Sequence, residues 1–340
     1  MKAAVYRGPG AIAVEAVPEP GAPGPGEVLL AVSRAAICGT DASEWAHGPI
    51  LCTPPVVLGH EFTGRVVAAG DDVALAEGTR VVSGAGISCG GCEWCRAGRT
   101  NLCSSYRTLG LQVDGGLAEY VRTPASICRP VPDTVDDDAA AMAQPFAVAL
   151  HAVRRSRLAA GETCVVIGAG GIGAFIVAGA AARSPARLVA VDIDPQRLDT
   201  ARQLGADTIV DARDGDLARL IADATGGEGA HVVIEASGAP HAPAAALAGA
   251  RRGGRVLLVG LQSAPRELDL VAAAVRELEL ITTIAHVCSV DLPEAIDLLA
   301  LGPIADAVLD RVIPLDALVE GGIRPLAERT ARGKIVVRCE

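Results

Sequence analysis

At 340 residues the chain is too long for one ordinary hydrophobic core, so two domains are expected. Half of the residues are apolar but only 2% are aromatic, so the cores must be built from Ala, Val, Ile and Leu. A formal net charge of −10 argues against a nucleic acid or an anionic membrane as the main partner.

The opening "MKAAVYRGPG" lacks the apolar segment of a secretory signal, so a cytoplasmic protein is expected. Short β-type runs broken by Pro and Gly follow, and turn signals continue to about Val121, which gives the first third an all-β character. Two segments there carry metal-capable side chains: "AAICGTDASEW" with Cys38, Thr40 and Asp41, and "VVLGHEFTGRV" with His60 and Glu61. Taken singly, Cys38 also reads as a small buried hydrophobe and His60 as a hydrogen-bonded structural histidine.

"SCGGCEWCRAGRTNLC" places Cys89, Cys92, Cys95 and Cys103 in a C-x2-C-x2-C-x7-C pattern. In a reducing compartment clustered thiols are metal ligands rather than disulfides. Four soft donors make a closed tetrahedral zinc site with no position for substrate, so this zinc should stabilise its loop. An iron–sulfur cluster is the rival, but no Cys-Pro ending is present. A redox C-x-x-C would be expected to open a helix in a thioredoxin-like unit.

After the acidic run in "PDTVDDDAAAMAQP", suited to the first turn of a helix, the texture changes. From about Leu150, apolar strands such as "TCVVIGA", "ARLVAVDID", "HVVIEAS" and "RVLLVGL" alternate with helical stretches such as "PQRLDTARQLGA". That alternation predicts an α/β fold with a doubly wound parallel sheet. The uncharged run Thr163 to Ala182 is long enough to span a bilayer. Its glycines point elsewhere. Gly168, Gly170 and Gly173 form G-x-G-x-x-G, with Gly171 opening the helix, and Asp192 closes the next strand. A tight turn, close backbone approach to pyrophosphate and helix–sheet packing each call for one glycine. A carboxylate at Asp192 accepts from both ribose hydroxyls of NAD and repels the 2′-phosphate of NADP, although Arg197 could reach either. His151 reads as a packing histidine, and Cys52, Cys128, Cys164, Cys288 and Cys339 as small buried residues. His286 lies where the nucleotide domain ends.

Together these segments resemble the zinc-dependent medium-chain alcohol dehydrogenase family. The resemblance runs from "MKAAVY" through "ICGTD", "LGHEFTG", the four cysteines, "GGLAEYV" and "VIGAGGIG" to "GKIVVRC". "SEWAHGPI", "AVALHAVRRS" and "KIVVRC" look closest to the polyol (sorbitol), 2,3-butanediol and threonine dehydrogenase branch. The resemblance implies a mainly-β GroES-like catalytic domain of residues 1–148 and 287–340, with a Rossmann NAD-binding domain of residues 149–286 inserted. It implies Cys38 and His60 as ligands of a catalytic zinc, with Glu61 beside or on the metal and Asp41 orienting His60. It also implies a proton relay through Thr40, an approach of Lys334 to the cofactor, and a homodimer or homotetramer. NAD and two kinds of zinc site, structural and catalytic, are the expected cofactors, and a small alcohol or ketone is the expected substrate.

Two positions depart from the pattern. Gln144 stands before Pro145 where this branch places a glutamate partner of the zinc, and a neutral amide oxygen is the poorer ligand. Either Glu61 completes the shell with Cys38, His60 and water, or the metal is held weakly, or it is lost. Ser43 stands where many relatives end the proton relay with histidine, leaving water or His47. The expectation is therefore an NAD-dependent zinc dehydrogenase of a secondary hydroxyl on a polyol, vicinal diol or cyclitol-like compound. The alternative is a reductase of polarised C=C or C=N bonds with no catalytic zinc. A nucleotide sensor without catalysis would not need Cys38, Thr40, His60 and Glu61.

Overall fold

A computed structural model describes residues Met1–Glu340 and divides into two compact units, Met1–Ala147 with His286–Glu340, and Val148–Ala285. The second unit is thus an insertion into the first.

The first unit is mainly β. Its central sheet runs in the order Cys128–Pro130, Arg80–Ser83, Glu61–Ala69, Glu27–Ala36, Lys334–Arg338, Leu309–Pro314, and Tyr120–Pro124 also pairs with Glu27–Ala36. The long strand Glu27–Ala36 alternates buried and half-buried side chains through most of its length, as a strand with one face on a core must. Register decides where the chemistry lies. Ala36 pairs with Glu61 on one side and with Val336 on the other, so Cys38, Glu61 and Lys334 are brought to the same end of the sheet. A smaller sheet joins Ile12–Ala16, Lys2–Tyr6 and Val56–Val57.

Two helices depart from the all-β expectation for this stretch, the short Glu93–Arg96 and the longer Gly39–His47. Asp41 explains its start, because its Oδ2 accepts the Cys38 backbone N–H at 2.9 Å, as a carboxylate at the third helical position does in a capping box. The acidic run behaves as its composition demands: Asp136 caps the helix Asp137–Ala141 by accepting from Ala139 N at 2.8 Å.

The second unit is a six-stranded parallel sheet in the order Thr208–Asp211, Arg187–Asp192, Thr163–Ile167, Ala230–Glu235, Ala250–Leu258, Glu279–Thr282. Its core is aliphatic, with Val165, Ile167, Val189, Val191, Val233 and Val256 at 3% exposure or less. The uncharged run resolves into the buried strand Thr163–Ile167 and the helix Gly171–Ala181, and no helix is long and apolar enough to cross a membrane.

Candidate active site

Cys38, His60 and Glu61 converge in the first unit, with one donor atom from each within 4.8 Å of the others. Cys38 caps the helix Gly39–His47, and Glu61 opens the strand Glu61–Ala69 immediately after His60. His60 and Glu61 are buried, Glu61 almost completely. Asp41, fully buried, faces the imidazole: its Oδ1 lies 3.7 Å from His60 Nδ1, and neither atom has a hydrogen-bond partner. A carboxylate in that place orients a histidine toward a metal. Burial pulls the His60 pKa down, but the charges of Cys38 and then Asp41 outweigh it and carry it up to about 10. Burial pushes the Asp41 carboxyl up, with His60 the largest opposing influence. A thiolate, an imidazole and a carboxylate converging in a buried, electronegative pocket are the donor set that suits zinc.

Thr40 Oγ1 lies 3.6 Å from Cys38 Sγ. Ser43 and His47, on the same helix, are exposed. Gln144 is buried in the first turn of the helix Ala143–Ser156, within the first unit. Lys334, which the resemblance brings close to the cofactor, has a buried ammonium that donates to Ile37 O at 2.9 Å and to Glu61 Oε2. With Lys334 and Glu61 both buried, each charge needs the other, and they lie 273 positions apart in the chain.

The four-cysteine segment also converges, its sulfurs lying within 4.8 Å of one another. The Cys92–Cys95 sulfurs are 3.5 Å apart, and all ten cysteines are free thiols. Backbone amides serve the sulfurs: Cys89 N and Ser105 N donate to Cys103 Sγ at 3.2 and 3.4 Å. Backbone N–H groups of Cys95 and Ser104 bring the Cys92 thiol down to about 6, whereas burial pushes Cys95 up to about 11. Amide donation to sulfur favours the thiolate, the form that binds metal.

In the second unit, the neighbours of Thr163–Ile167 are Arg187–Asp192 on one side and Ala230–Glu235 on the other, so the order of connection reverses there. Ligands of open α/β sheets bind in the crevice outside such a point. Gly168 sits at φ +93°, and a Cβ on it would stand 2.7 Å from Ser237 Cα. A Cβ on Gly173 would stand 1.8 Å from Gly168 O. Gly170, in contrast, meets nothing closer than Arg197 Nη1 at 3.7 Å, so packing leaves its Cβ side open. Asp192 is buried and holds the loop: Oδ2 accepts from Ala169 N at 2.7 Å, and Oδ1 from Ile193 N and Asp194 N at 2.8 and 3.0 Å. Arg197 Nη1 lies 4.0 Å from Asp192 Oδ1.

Sequence reading missed Glu235. It is fully buried at the end of Ala230–Glu235, and its Oε1 accepts from Ser237 N, Ser237 Oγ and Gly238 N at 2.7, 2.6 and 2.9 Å. It fixes the turn against which Gly168 packs. The available signal was a strand ending in an acid just before Ser-Gly, in "VVIEASG". His151 and His286 are both buried, and so are Cys52, Cys128, Cys164, Cys288 and Cys339.

Comparison with known proteins matches this geometry. Residues 24–133 match the alcohol dehydrogenase GroES-like domain, and residues 171–300 match the zinc-binding dehydrogenase domain. The chain belongs to the zinc-dependent alcohol dehydrogenase family. It is 34% identical over 268 residues to a sorbitol dehydrogenase of Bacillus subtilis, covering 77% of this chain and 76% of that one. The crystal structure of 2R,3R-butanediol dehydrogenase from Bacillus subtilis superposes with a TM-score of 0.90 at 31% identity, covering 99% of both chains. A zinc-binding dehydrogenase from Sinorhizobium meliloti, bound to NADP, superposes with a TM-score of 0.91 at 33% identity, covering 99% of this chain and 98% of that one. The fold is therefore a GroES-like domain joined to a Rossmann domain, as the sequence implied.

Proposed function

We propose that this nicotinamide-dependent alcohol dehydrogenase interconverts a secondary alcohol of a polyol, vicinal diol or cyclitol-like compound with its ketone, preferring NAD. The observation that carries the reading is the convergence of Cys38, His60 and Glu61 in a buried pocket that Asp41 backs. Zinc held by these donors supplies Lewis acidity, which lowers the pKa of an alcohol. The protein's own part is to hold that donor set and to move a proton. The Asp41 carboxylate, 3.7 Å from His60 Nδ1, attracts the ring electrostatically, and the Thr40 hydroxyl, beside Cys38, takes the proton from the alcohol and hands it outward. With Ser43 and His47 exposed, the proton leaves to water or through His47.

The dinucleotide is assigned to Gly168, Gly170, Gly171 and Gly173, whose helix N-terminus offers N–H groups to pyrophosphate. Held by these residues, the nicotinamide ring would supply the hydride acceptor. The preference for NAD is supported by the buried Asp192 carboxylate at the end of its strand, which would repel a 2′-phosphate, with Arg197 Nη1 4.0 Å from its Oδ1. The sorbitol and butanediol names of the relatives support the substrate class. The converging donors disfavour the reductase alternative without catalytic zinc. Self-association as a homodimer or homotetramer is supported by the sheet edge Glu279–Thr282, which carries exposed Leu280 near exposed Val275 and Ile284. Ten free thiols support a cytoplasmic setting.

The test is a panel of polyols, diols and cyclitols with NAD and NADP on enzyme of measured zinc content. Turnover with vicinal secondary alcohols, faster with NAD, is expected. Turnover confined to primary alcohols, or faster with NADP, would overturn the assignment.

A further inference from the structure

One pair of charges beside the dinucleotide crevice has no part in the function proposed above. The strands Arg187–Asp192 and Thr208–Asp211 are adjacent and parallel, and their last residues are register partners, Asp192 opposite Asp211. Ala212 N then donates to Asp192 O at 2.9 Å, one residue before Arg213. Adjacent strands lie about 4.8 Å apart, which is within reach of an arginine side chain. The Arg213 guanidinium is nevertheless taken. Its Nε donates to both Asp211 carboxylate oxygens at 2.9 and 3.1 Å, Nη2 donates to Oδ2, and the Arg213 backbone N–H donates to Oδ1 at 2.9 Å. Hydrogen bonds from the Arg213 side chain, and then from its backbone, hold the Asp211 carboxyl down to about 2, so it stays ionised near neutral pH. Asp214 and Asp194 are the next charges that act on Arg213, and Asp194 N donates to Asp192 Oδ1. Asp192, Asp194, Asp211 and Asp214 thus outnumber Arg197 and Arg213 at this end of the sheet.

An ion pair whose arginine is 58% exposed adds little to stability. What it fixes is the place of a charge. A guanidinium fork binds carboxylate and phosphate with the same bidentate geometry, so the two compete for it. We infer that Asp211 is a specificity-determining residue for the dinucleotide, because it occupies the Arg213 guanidinium that would otherwise receive a nucleotide 2′-phosphate. Discrimination against NADP is then shared: Asp192 repels the phosphate, and Asp211 withholds its counterion. This rests on the reading of Gly168, Gly170, Gly173 and Asp192 as the dinucleotide site.

The experiment is fluorescence titration of the intact enzyme with NADH and with NADPH, and the quantity read is the ratio of the two affinities. In Asp211→Asn, NADPH should gain roughly tenfold on NADH, the scale of one unit charge a few ångströms from a doubly charged phosphate in water. The gain should shrink as salt is added, as screening requires of exposed charges. Arg213→Ala leaves Asp211 uncompensated and should move the ratio about threefold the other way. Asp211→Asn/Arg213→Ala restores the wild-type net charge without the cation, and its ratio should return to within about twofold of wild type.

A folded Asp211→Asn enzyme whose ratio is unchanged or lower would overturn the inference, leaving the pair a fastener of its loop. So would a gain that persists in Asp211→Asn/Arg213→Ala, which would mean that Asp211 merely repels, or a gain that salt leaves unmoved. Both affinities falling together in Arg213→Ala, with the ratio fixed, would overturn it in favour of a contact between Arg213 and the adenine that both dinucleotides share. If Asp211→Asn does not fold, Asp211→Ser, which also keeps an acceptor for Arg213 N, carries the test. Wild-type enzyme that binds NADPH more tightly than NADH would overturn the NAD assignment itself, and enzyme that binds neither would overturn the dinucleotide site. Both of those results are read on wild type alone, apart from the Asp211 variants.

Discussion

The first unit holds two donor clusters built on opposite plans. Cys89, Cys92, Cys95 and Cys103 come from one short segment, in which Cys89 is exposed, and backbone amides donate to the Cys103 sulfur. Cys38, His60 and Glu61 come from two segments, are held by a sheet register and a capped helix, and are supported by the buried side chains of Asp41 and Lys334. Four donors close a coordination shell, whereas three leave a place for another molecule. The first plan suits stability and the second suits chemistry.

The sharpest way to break that contrast is to remove one thiol from each cluster. Cys38→Ser should lower kcat by about a thousandfold or more, the scale of losing a major electrostatic stabiliser, while the thermal midpoint moves little. Steady-state kinetics and calorimetry check this, and a variant that unfolds but keeps its rate per folded molecule would reverse the assignment. Cys95→Ser should do the opposite. It should cost on the order of 3 kcal/mol or more of stability, because metal binding at such a site is folding free energy. Its kcat, measured at low temperature on folded enzyme, should stay within about twofold of wild type.

Side-chain support separates the clusters further. Asp41→Asn should weaken the Cys38–His60 zinc by about ten- to a hundredfold, the usual cost of losing an outer partner of a ligating histidine. Chelator competition measures it, and an unchanged affinity would remove Asp41 from the design. The smallest effect is expected at Ser105→Ala beside the cysteine cluster, within about 0.5 kcal/mol, since Ser105 serves Cys103 through its backbone N–H. A large loss in denaturant unfolding would show that side chains hold this lobe after all.

The same contrast explains what could be read without a structure. Local patterns were legible: the cysteine spacing, the glycine loop and the strand–helix alternation each occupy one continuous stretch, where spacing alone fixes geometry. The family resemblance supplied the pairing of Cys38 with His60, which no local pattern could. The pair of Lys334 with Glu61 was not legible, because it depends on which strands flank Glu27–Ala36 and in what register. Glu235 was passed over for a related reason: its carboxylate matters through the turn at Ser237, which packs on a glycine from a different strand. The helix Gly39–His47 was hidden because its start depends on an Asp41 carboxylate already spoken for as a partner of His60.

The contrast between the two clusters turns on whether the three-donor cluster holds zinc in an open site and the four-cysteine cluster in a closed one. The most direct test is graded chelation of the native enzyme, with zinc content and activity followed together. About two zinc ions per chain are expected, the first leaving early together with all activity and the second staying until the fold is lost. A native enzyme that turns over alcohol with about one zinc per chain, held by the cysteines, would contradict it.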